Sequence, residues 1–330
     1  MSTIPILDLR DADDRPDQFR QQLREATHEI GVFHLIGHGI PDDTVDELFA
    51  TARRFFALPE ATKRALEMTN SPHFRGWTRN GGEYTQGAQD QREQIDLASE
   101  RAAVTEADAP PYLRLEGPNQ WPDDLPELRG TIDRWQQQLT DISRRLLREW
   151  ALSLGAGADM FEPAFAEAPM TLIKLVRYPG VKEGGSRQGV GGHKDPGVLT
   201  MLLVEPGKGG LEAEVDGAWV AVEPVPGAFV VNIGELLEVA TNGYLKATMH
   251  RVVSPPEGDE RLSVPFFFNP QLASRIPLVP LPPELAASAP GVTDDPTNVI
   301  SAVFGDNMLK ARLRAHPDVA ARHHPDLVSG

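Results

Sequence analysis

The 330 residues are 40% hydrophobic and 24% charged, a balance that suits one large globular domain or two modest ones. A net charge of −16 sets the chain against nucleic acid and anionic membrane surfaces, and no apolar run is long enough to span a bilayer. Cysteine is absent, which excludes disulfides and thiolate metal sites; with no secretory pattern at Met1-Ser2-Thr3-Ile4-Pro5-Ile6, a cytoplasmic location is expected.

Ile4 to Leu9 reads as a short strand, and Asp14 to Ile30 as an amphipathic helix with Phe19, Leu23, Ala26 and Ile30 at helical spacing. Gly31 stops that helix, Val32 to Ile36 is a buried strand, and Gly37-His38-Gly39 a turn. Pro41-Asp42-Asp43 opens a second helix, with acids in the first turn where the helix dipole favours them. Its apolar stripe is Val45, Leu48, Phe49, Ala52 and Phe56, and Pro59, at a first helical position, starts a short helix through Leu66.

From Thr69 to about Ala109 the periodicity dissolves. Phe74 to Tyr84 mixes aromatic, basic and glycine residues as site-lining loops do, so Arg75, Trp77 and Tyr84 are pocket candidates; Arg92 to Leu97 returns to an extended segment. A proline-rich connection, Pro110 to Pro126, leads to the strongest periodic signal in the chain. Leu128, Ile132, Trp135, Leu139, Ile142, Leu146 and Trp150 form one stripe, ended by Gly155, and predict a long helix laid against a sheet.

After Ala168 the texture changes to strands: Thr171 to Tyr178, Val198 to Val204, Leu211 to Val215, Ala218 to Val222, Ala228 to Ile233, Ala247 to Ser254 and Arg261 to Asn269. Asp216-Gly217 is a two-residue hairpin signal, and Thr297 to Ala315 is helical again. The expected fold is mainly β with flanking helices: a double-stranded β-helix, or jelly roll, with a long backbone helix. The expected parts are an N-terminal α/β region at 1–120, connecting helices at 121–168, a catalytic jelly roll at 169–275 and a helical tail at 276–330.

In a strand, residues two apart share a face, so His193 and Asp195 can present an imidazole and a carboxylate together before Pro196-Gly197 turns the chain. His250, in another strand, supplies a third group. Two imidazoles and one carboxylate cap one face of an iron(II) octahedron and leave positions open for co-substrate and oxygen. Taken alone, His250 reads as a core histidine. Arg261 and Ser263 change that reading: a guanidinium fork binds a carboxylate through two parallel hydrogen bonds, and the serine faces the same way. The competing partner for Arg261 is an internal acid, Glu235 or Glu238. A dicarboxylate reaching from the metal to Arg261 accounts for all five residues.

With these motifs the chain resembles the 2-oxoglutarate- and iron(II)-dependent dioxygenases of the isopenicillin N synthase-like group. Gly31-Val32-Phe33 and His38-Gly39-Ile40 carry the resemblance at the N-terminus. His193-x-Asp195-Pro196-Gly197, Asn232-Ile233-Gly234-Glu235, His250-Arg251-Val252 and Arg261-x-Ser263 carry it in the second half. The resemblance implies iron ligands at His193, Asp195 and His250. It implies 2-oxoglutarate chelating the iron, with its distal carboxylate on Arg261, Ser263 and Tyr178, and O2 as the oxidant. It departs from many relatives at Val176-Arg177, before Tyr178, and at Lys194, which alternation points away from the iron.

The implied reaction oxidises a small organic molecule by hydroxylation, desaturation or ring closure, with succinate and carbon dioxide as co-products. Strand parity adds Lys174, Val176 and Phe267, which share faces with Tyr178 or Arg261, to the pocket candidates. Two other readings stay open: an iron oxidase of the same fold that does not use 2-oxoglutarate, and a ligand-binding protein without turnover. Structural zinc fits poorly, because it prefers four protein ligands and usually cysteine. The expected partner is a small molecule, not nucleic acid or membrane, and the oligomeric state is left open.

Overall fold

Alternating side chains sort the strands of this chain between two surfaces, a helix-covered outside and a cleft inside. The computed structural model describes residues 4–106, 108–167, 169–292 and 299–328. The first half runs β1 (Ile6–Asp8), α1 (Asp11–Asp14), α2 (Pro16–Glu29), β2 (Val32–Ile36), α3 (Asp42–Phe56) and α4 (Glu60–Ala65). Then come β3 (Gly76–Thr78), β4 (Tyr84–Thr85), β5 (Ala88–Gln89), β6 (Glu93–Ala98) and α5 (Glu127–Ser153). The second half runs α6 (Glu162–Phe165), β7 (Met170–Pro179), β8 (Gln188–His193), β9 (Leu199–Val204), β10 (Leu211–Val215), β11 (Ala218–Ala221) and β12 (Phe229–Ile233). It ends with α7 (Glu235–Ala240), β13 (His250–Val253), β14 (Glu260–Asn269), α8 (Pro283–Ala286), α9 (Phe304–Ala315), α10 (Pro317–His323) and α11 (Pro325–Val328).

Eight strands form the larger sheet in the order β1-β2-β12-β9-β14-β7-β6-β3, and four form the smaller in the order β11-β10-β13-β8. β1 joins β2 in parallel; the neighbouring pairs β12–β9, β9–β14 and β14–β7 are antiparallel. The sheets face each other across one apolar cluster. Val32, Val176, Tyr178 and Val230 of the large sheet meet Val190, Leu211, Ala213 and Val252 of the small one. This is the jelly roll expected from the strand pattern.

The period-2 pattern of β14 shows why the cleft lies where it does. Leu262, Val264, Phe266 and Phe268 join the main core, while Pro265 and Phe267 line the cleft on the opposite face with Arg261 and Ser263. α5 covers the outer face, in contact with β7 and β14, and buries the predicted stripe, including Trp135 and Trp150. Ridges of leucine and tryptophan on one helical face give a 27-residue helix enough apolar surface to hold the sheet rigid.

Several segments differ from expectation. The aperiodic stretch Thr69–Ala109 contains β3, β4 and β5 besides β6, which falls on the extended segment expected at Arg92–Leu97 and is buried along its whole length. Glu93 pairs with Lys63 at 2.6 Å and accepts from Trp77 Nε1 at 2.9 Å, and Gln94 donates to Asp96 at 2.6 Å. Pro59 caps α4 from outside it, with ψ 141°, instead of opening the first turn. The start expected for the last helix, Thr297, lies outside the described residues; α9 begins at Phe304, and α10 and α11 follow it. At the β10–β11 hairpin, Asp216 and Gly217 both have positive φ, 52° and 76°, as the favoured two-residue hairpin turn requires. Among the described residues, no helix is long and apolar enough to cross a membrane.

Candidate metal centre

His193 ends β8 and His250 begins β13, and strand pairing sets them opposite each other. Their rings lie 4.3 Å apart between centroids. Asp195, two residues beyond β8, places Oδ1 3.6 Å from His193 Nε2 and 3.8 Å from His250 Nε2. The three candidate donor atoms lie within 4.8 Å of one another, and the separations of 3.6 and 3.8 Å from Oδ1 are within the reach of one ion with bonds of about 2 Å.

The surroundings aim these atoms. His193 Nδ1 donates to the Gly191 carbonyl at 2.9 Å, and His250 Nδ1 to the Thr248 carbonyl at 3.0 Å. A carbonyl can only accept, so each ring carries its proton on Nδ1 and turns the Nε2 lone pair toward Asp195. Burial and the neighbouring His250 push the His193 pKa down to about 4, so the ring is neutral and ready to ligate. Burial would raise the Asp195 pKa, but both imidazoles and two hydrogen bonds outweigh it and hold the carboxyl below its usual range. Those bonds come from Thr200 Oγ1 at 2.5 Å and Asn232 Nδ2 at 2.8 Å, and both fall on Oδ2, leaving Oδ1 to the histidines. Gly234 closes over the Asp195 turn: a Cβ there would stand 2.2 Å from the Gly197 carbonyl.

Arg261 lies opposite Tyr178 and Ser263 opposite Val176 in the β14–β7 pairing. Arg261 is 1% exposed, yet none of its three guanidinium nitrogens has a hydrogen-bond partner among the described residues, and neither has Ser263 Oγ. Its guanidinium carbon sits 4.8 Å from the centre of the Tyr178 ring. Neither internal acid considered from the sequence, Glu235 or Glu238, hydrogen-bonds any of these nitrogens, and Glu238 takes Lys194 at 3.0 Å and the Ala247 amide. A buried guanidinium without an anion is costly, so this pocket is built for an anion from outside the chain. Two imidazoles with Nδ1 bound to backbone carbonyls, an oriented carboxylate and a waiting guanidinium fit iron(II) with 2-oxoglutarate.

Known proteins resemble this chain. Residues 169–270 match the model of the 2OG-Fe(II) oxygenase superfamily, and residues 4–124 match the model described as the N-terminal region of non-haem dioxygenase in morphine synthesis. Homoarginine-6-hydroxylase 2-ODD-C23.1 of Arabidopsis thaliana is 34% identical over 76% of this chain and 76% of its own length. The 2-oxoglutarate-dependent dioxygenase frbJ of Dothideomycetidae sp. (strain 11243) is 31% identical over 99% of this chain and 94% of its own. The crystal structure of JOX2 in complex with 2OG, Fe and JA aligns with a TM-score of 0.72 at 28% identity, over 97% of this chain and 89% of that one. The chain belongs to the 2OG-Fe(II) oxygenase superfamily. It is a 2-oxoglutarate- and iron(II)-dependent dioxygenase that uses O2 as oxidant.

The oxygenase has a cleft of about 1600 Å³ that contains the triad and Tyr178. Of the pocket candidates, Tyr84, Lys174 and Phe267 line it. Three others do not. Arg75 is turned inward, donating to the carbonyls of His73 and Leu115 at 2.7 and 2.8 Å, and burial lowers its pKa to about 10. Trp77 is buried against Glu93, and Val176 packs with Tyr178 in the cluster between the sheets. The loop reading of 74–84 erred because Gly76 and Trp77 belong to β3, at the rim of the large sheet. Lys194, expected from alternation to face away from the iron, lines the same cleft as the triad with its Nζ held by Glu238 at 3.0 Å.

Sequence reading did not single out Thr200 as the support of Asp195, nor Glu83, Arg92 and Arg312 as cleft residues. A buried asparagine in the apolar strand Phe229-Val230-Val231-Asn232-Ile233 was the one local signal for the support from β12, and register then points to Thr200 beside it.

Proposed function

We propose that His193, Asp195 and His250 ligate the iron, that Tyr178, Arg261 and Ser263 hold the distal carboxylate of 2-oxoglutarate, and that a small organic molecule is oxidised in the cleft above them. The observation that carries the proposal is the buried Arg261 with three unpartnered nitrogens beside Ser263 Oγ, over a tyrosine that lines the same cleft as the triad. Bound iron with 2-oxoglutarate and O2 supplies C–H oxidation coupled to release of succinate and carbon dioxide. The protein's part is placement. Thr200 and Asn232 fix Asp195, the backbone carbonyls fix both histidine tautomers, and Arg261 with Ser263 fixes the far end of the co-substrate and so its orientation at the metal. Relatives named homoarginine-6-hydroxylase support hydroxylation as the outcome.

Arg261→Leu keeps the size of the buried group and removes both forked hydrogen bonds. Each charge-assisted bond contributes about 1.5–3 kcal/mol, so losing two should raise the KM for 2-oxoglutarate by about a hundredfold or more while iron(II) affinity stays within about twofold. Succinate formation and anaerobic iron titration measure the two. An unchanged KM would remove Arg261 from the co-substrate site.

A further inference from the structure

The wall of the cleft carries charges that iron and 2-oxoglutarate leave unused. Glu83, Arg92, Lys174 and Arg312 all line it and are 5%, 8%, 6% and 5% exposed. Lys174 Nζ lies 3.1 Å from Glu83 Oε1 and 3.4 Å from Asp96 Oδ2. Arg92 Nη2 lies 3.1 Å from Glu83 Oε2 and 3.0 Å from Asp90 Oδ2. Arg312, from α9, donates through Nη2 to Asp96 at 2.8 Å and to the Phe74 carbonyl at 2.7 Å. His316 Nε2 approaches Glu83 at 3.6 Å, and burial keeps that ring neutral.

Glu83, Asp90 and Asp96 balance Arg92, Lys174 and Arg312 in formal charge, but they are not placed alike. Asp90 and Asp96 are fully buried behind the wall, so on this side the cleft meets Arg92, Lys174 and Arg312 with Glu83 among them, while elsewhere its lining carries charges of both signs, such as Lys194, Lys246, Glu235 and Glu238. The two guanidiniums are also under-used. Among the described residues their hydrogen bonds run through Nη2 alone, and Arg92 Nε has no partner. A guanidinium has five N–H donors and a carboxylate about four acceptor sites, so the wall keeps spare donors on both arginines and spare acceptance on Glu83. A network serving only to pin α9 to the sheet would have no cause to present both to the cleft. A neutral ligand covering the wall would strip these groups of water and return nothing.

We propose that the primary substrate is a small zwitterion of the amino-acid class. Its carboxylate takes the free N–H groups of Arg92 and Arg312, and its ammonium takes the spare acceptor sites of Glu83. The inference rests on the oxygenase reading above and names the substrate class for the same site. Leu172, Phe267 and Met308 give the rest of the molecule an apolar lining.

The test uses the full-length enzyme with iron(II) and 2-oxoglutarate, measuring succinate release. The probes are the twenty protein amino acids and, for each one that acts, its analogues lacking the amine or lacking the carboxylate. At least one amino acid is expected to accelerate succinate release about tenfold or more, and both of its singly charged analogues to lose that effect. Glu83→Gln, and independently Arg92→Gln, should raise the KM for that amino acid by about tenfold or more, while anaerobic 2-oxoglutarate binding, read from its charge-transfer absorption, persists. Slow basal succinate release with no response to any amino acid overturns the proposal. So does an analogue of single charge that works as well as its parent. Variants that lower the melting temperature and leave KM untouched assign the network to structure alone. Absence of both the absorption band and basal succinate is a different failure, that of the oxygenase reading itself.

Discussion

At the scale of single residues, the metal centre depends on one carboxylate oxygen being occupied so that the other is free. Thr200 from β9 and Asn232 from β12 are neighbours across a strand pair, and both bond Asp195 Oδ2. Neither touches the position an ion would take. Removing one leaves the carboxylate free to rotate and expose either oxygen, and outer partners of this kind typically alter metal affinity by about 10–100-fold. Asn232→Ala should therefore weaken anaerobic iron(II) binding by about tenfold or more. An affinity equal to wild type would mean that Thr200 and the strand geometry orient Asp195 unaided.

At the scale of elements, α5 and β14 do different jobs with the same kind of pattern. Leu146 is fully buried on α5, which packs on the face of the large sheet away from the cleft. Leu146→Ala should cost about 2–5 kcal/mol of stability, read by urea unfolding, and leave the KM for 2-oxoglutarate unaltered at temperatures where the variant is folded. A change in that KM would show that α5 transmits strain through the sheet into the site. These elements were legible because burial writes a pattern into the chain: a period of about 3.6 for α5, a period of 2 that divides core from cleft in β14, and apolar runs in β7 and β9, which are buried on both faces. β6 was legible as the extended segment Arg92–Leu97 although it buries Glu93 against Lys63 and Asp96 against Arg312; β8 was harder for a physical reason. β8, Gln188-Gly189-Val190-Gly191-Gly192-His193, has little apolar content and is held by its pairing with β13. His193-x-Asp195 and Arg261-x-Ser263 could be named in advance because each is a local motif, and His250, 55 residues beyond Asp195, could be added only by its conjunction with them and by the family resemblance. Glu83, Arg92 and Arg312 could not: Glu83 and Arg92 flank the β4–β5 hairpin, but Arg312 reaches them from α9, far along the chain, and no spacing records it.

At the scale of the whole molecule, burial of ionisable groups makes the fold sensitive to acid. His34, His316 and His324 are 3%, 3% and 1% exposed, and burial lowers the pKa of each, that of His316 to about 3. In the unfolded chain a histidine titrates near 6.5, or roughly there. As pH falls through that value the unfolded chain binds protons that the folded rings refuse, so folding loses free energy. For one fully withheld ring the loss is about 1.4 kcal/mol per pH unit, and it continues down toward the folded pKa. Glu83 and Asp96 are also held below their usual range, despite burial, chiefly by Arg92 and Lys174 for the first and by Lys174 and Arg312 for the second. Their stabilising effect is therefore lost only at lower pH, which leaves the interval between about pH 6.5 and 5 to the histidines. The melting temperature should be highest near or above pH 7 and fall steadily across that interval. His316→Gln, which removes the most strongly shifted of these three rings, should flatten the fall while leaving the neutral-pH melting temperature within a few degrees. A wild-type melting temperature that stayed level from pH 7 to 5.5 would mean that the buried rings accept protons without opening the fold.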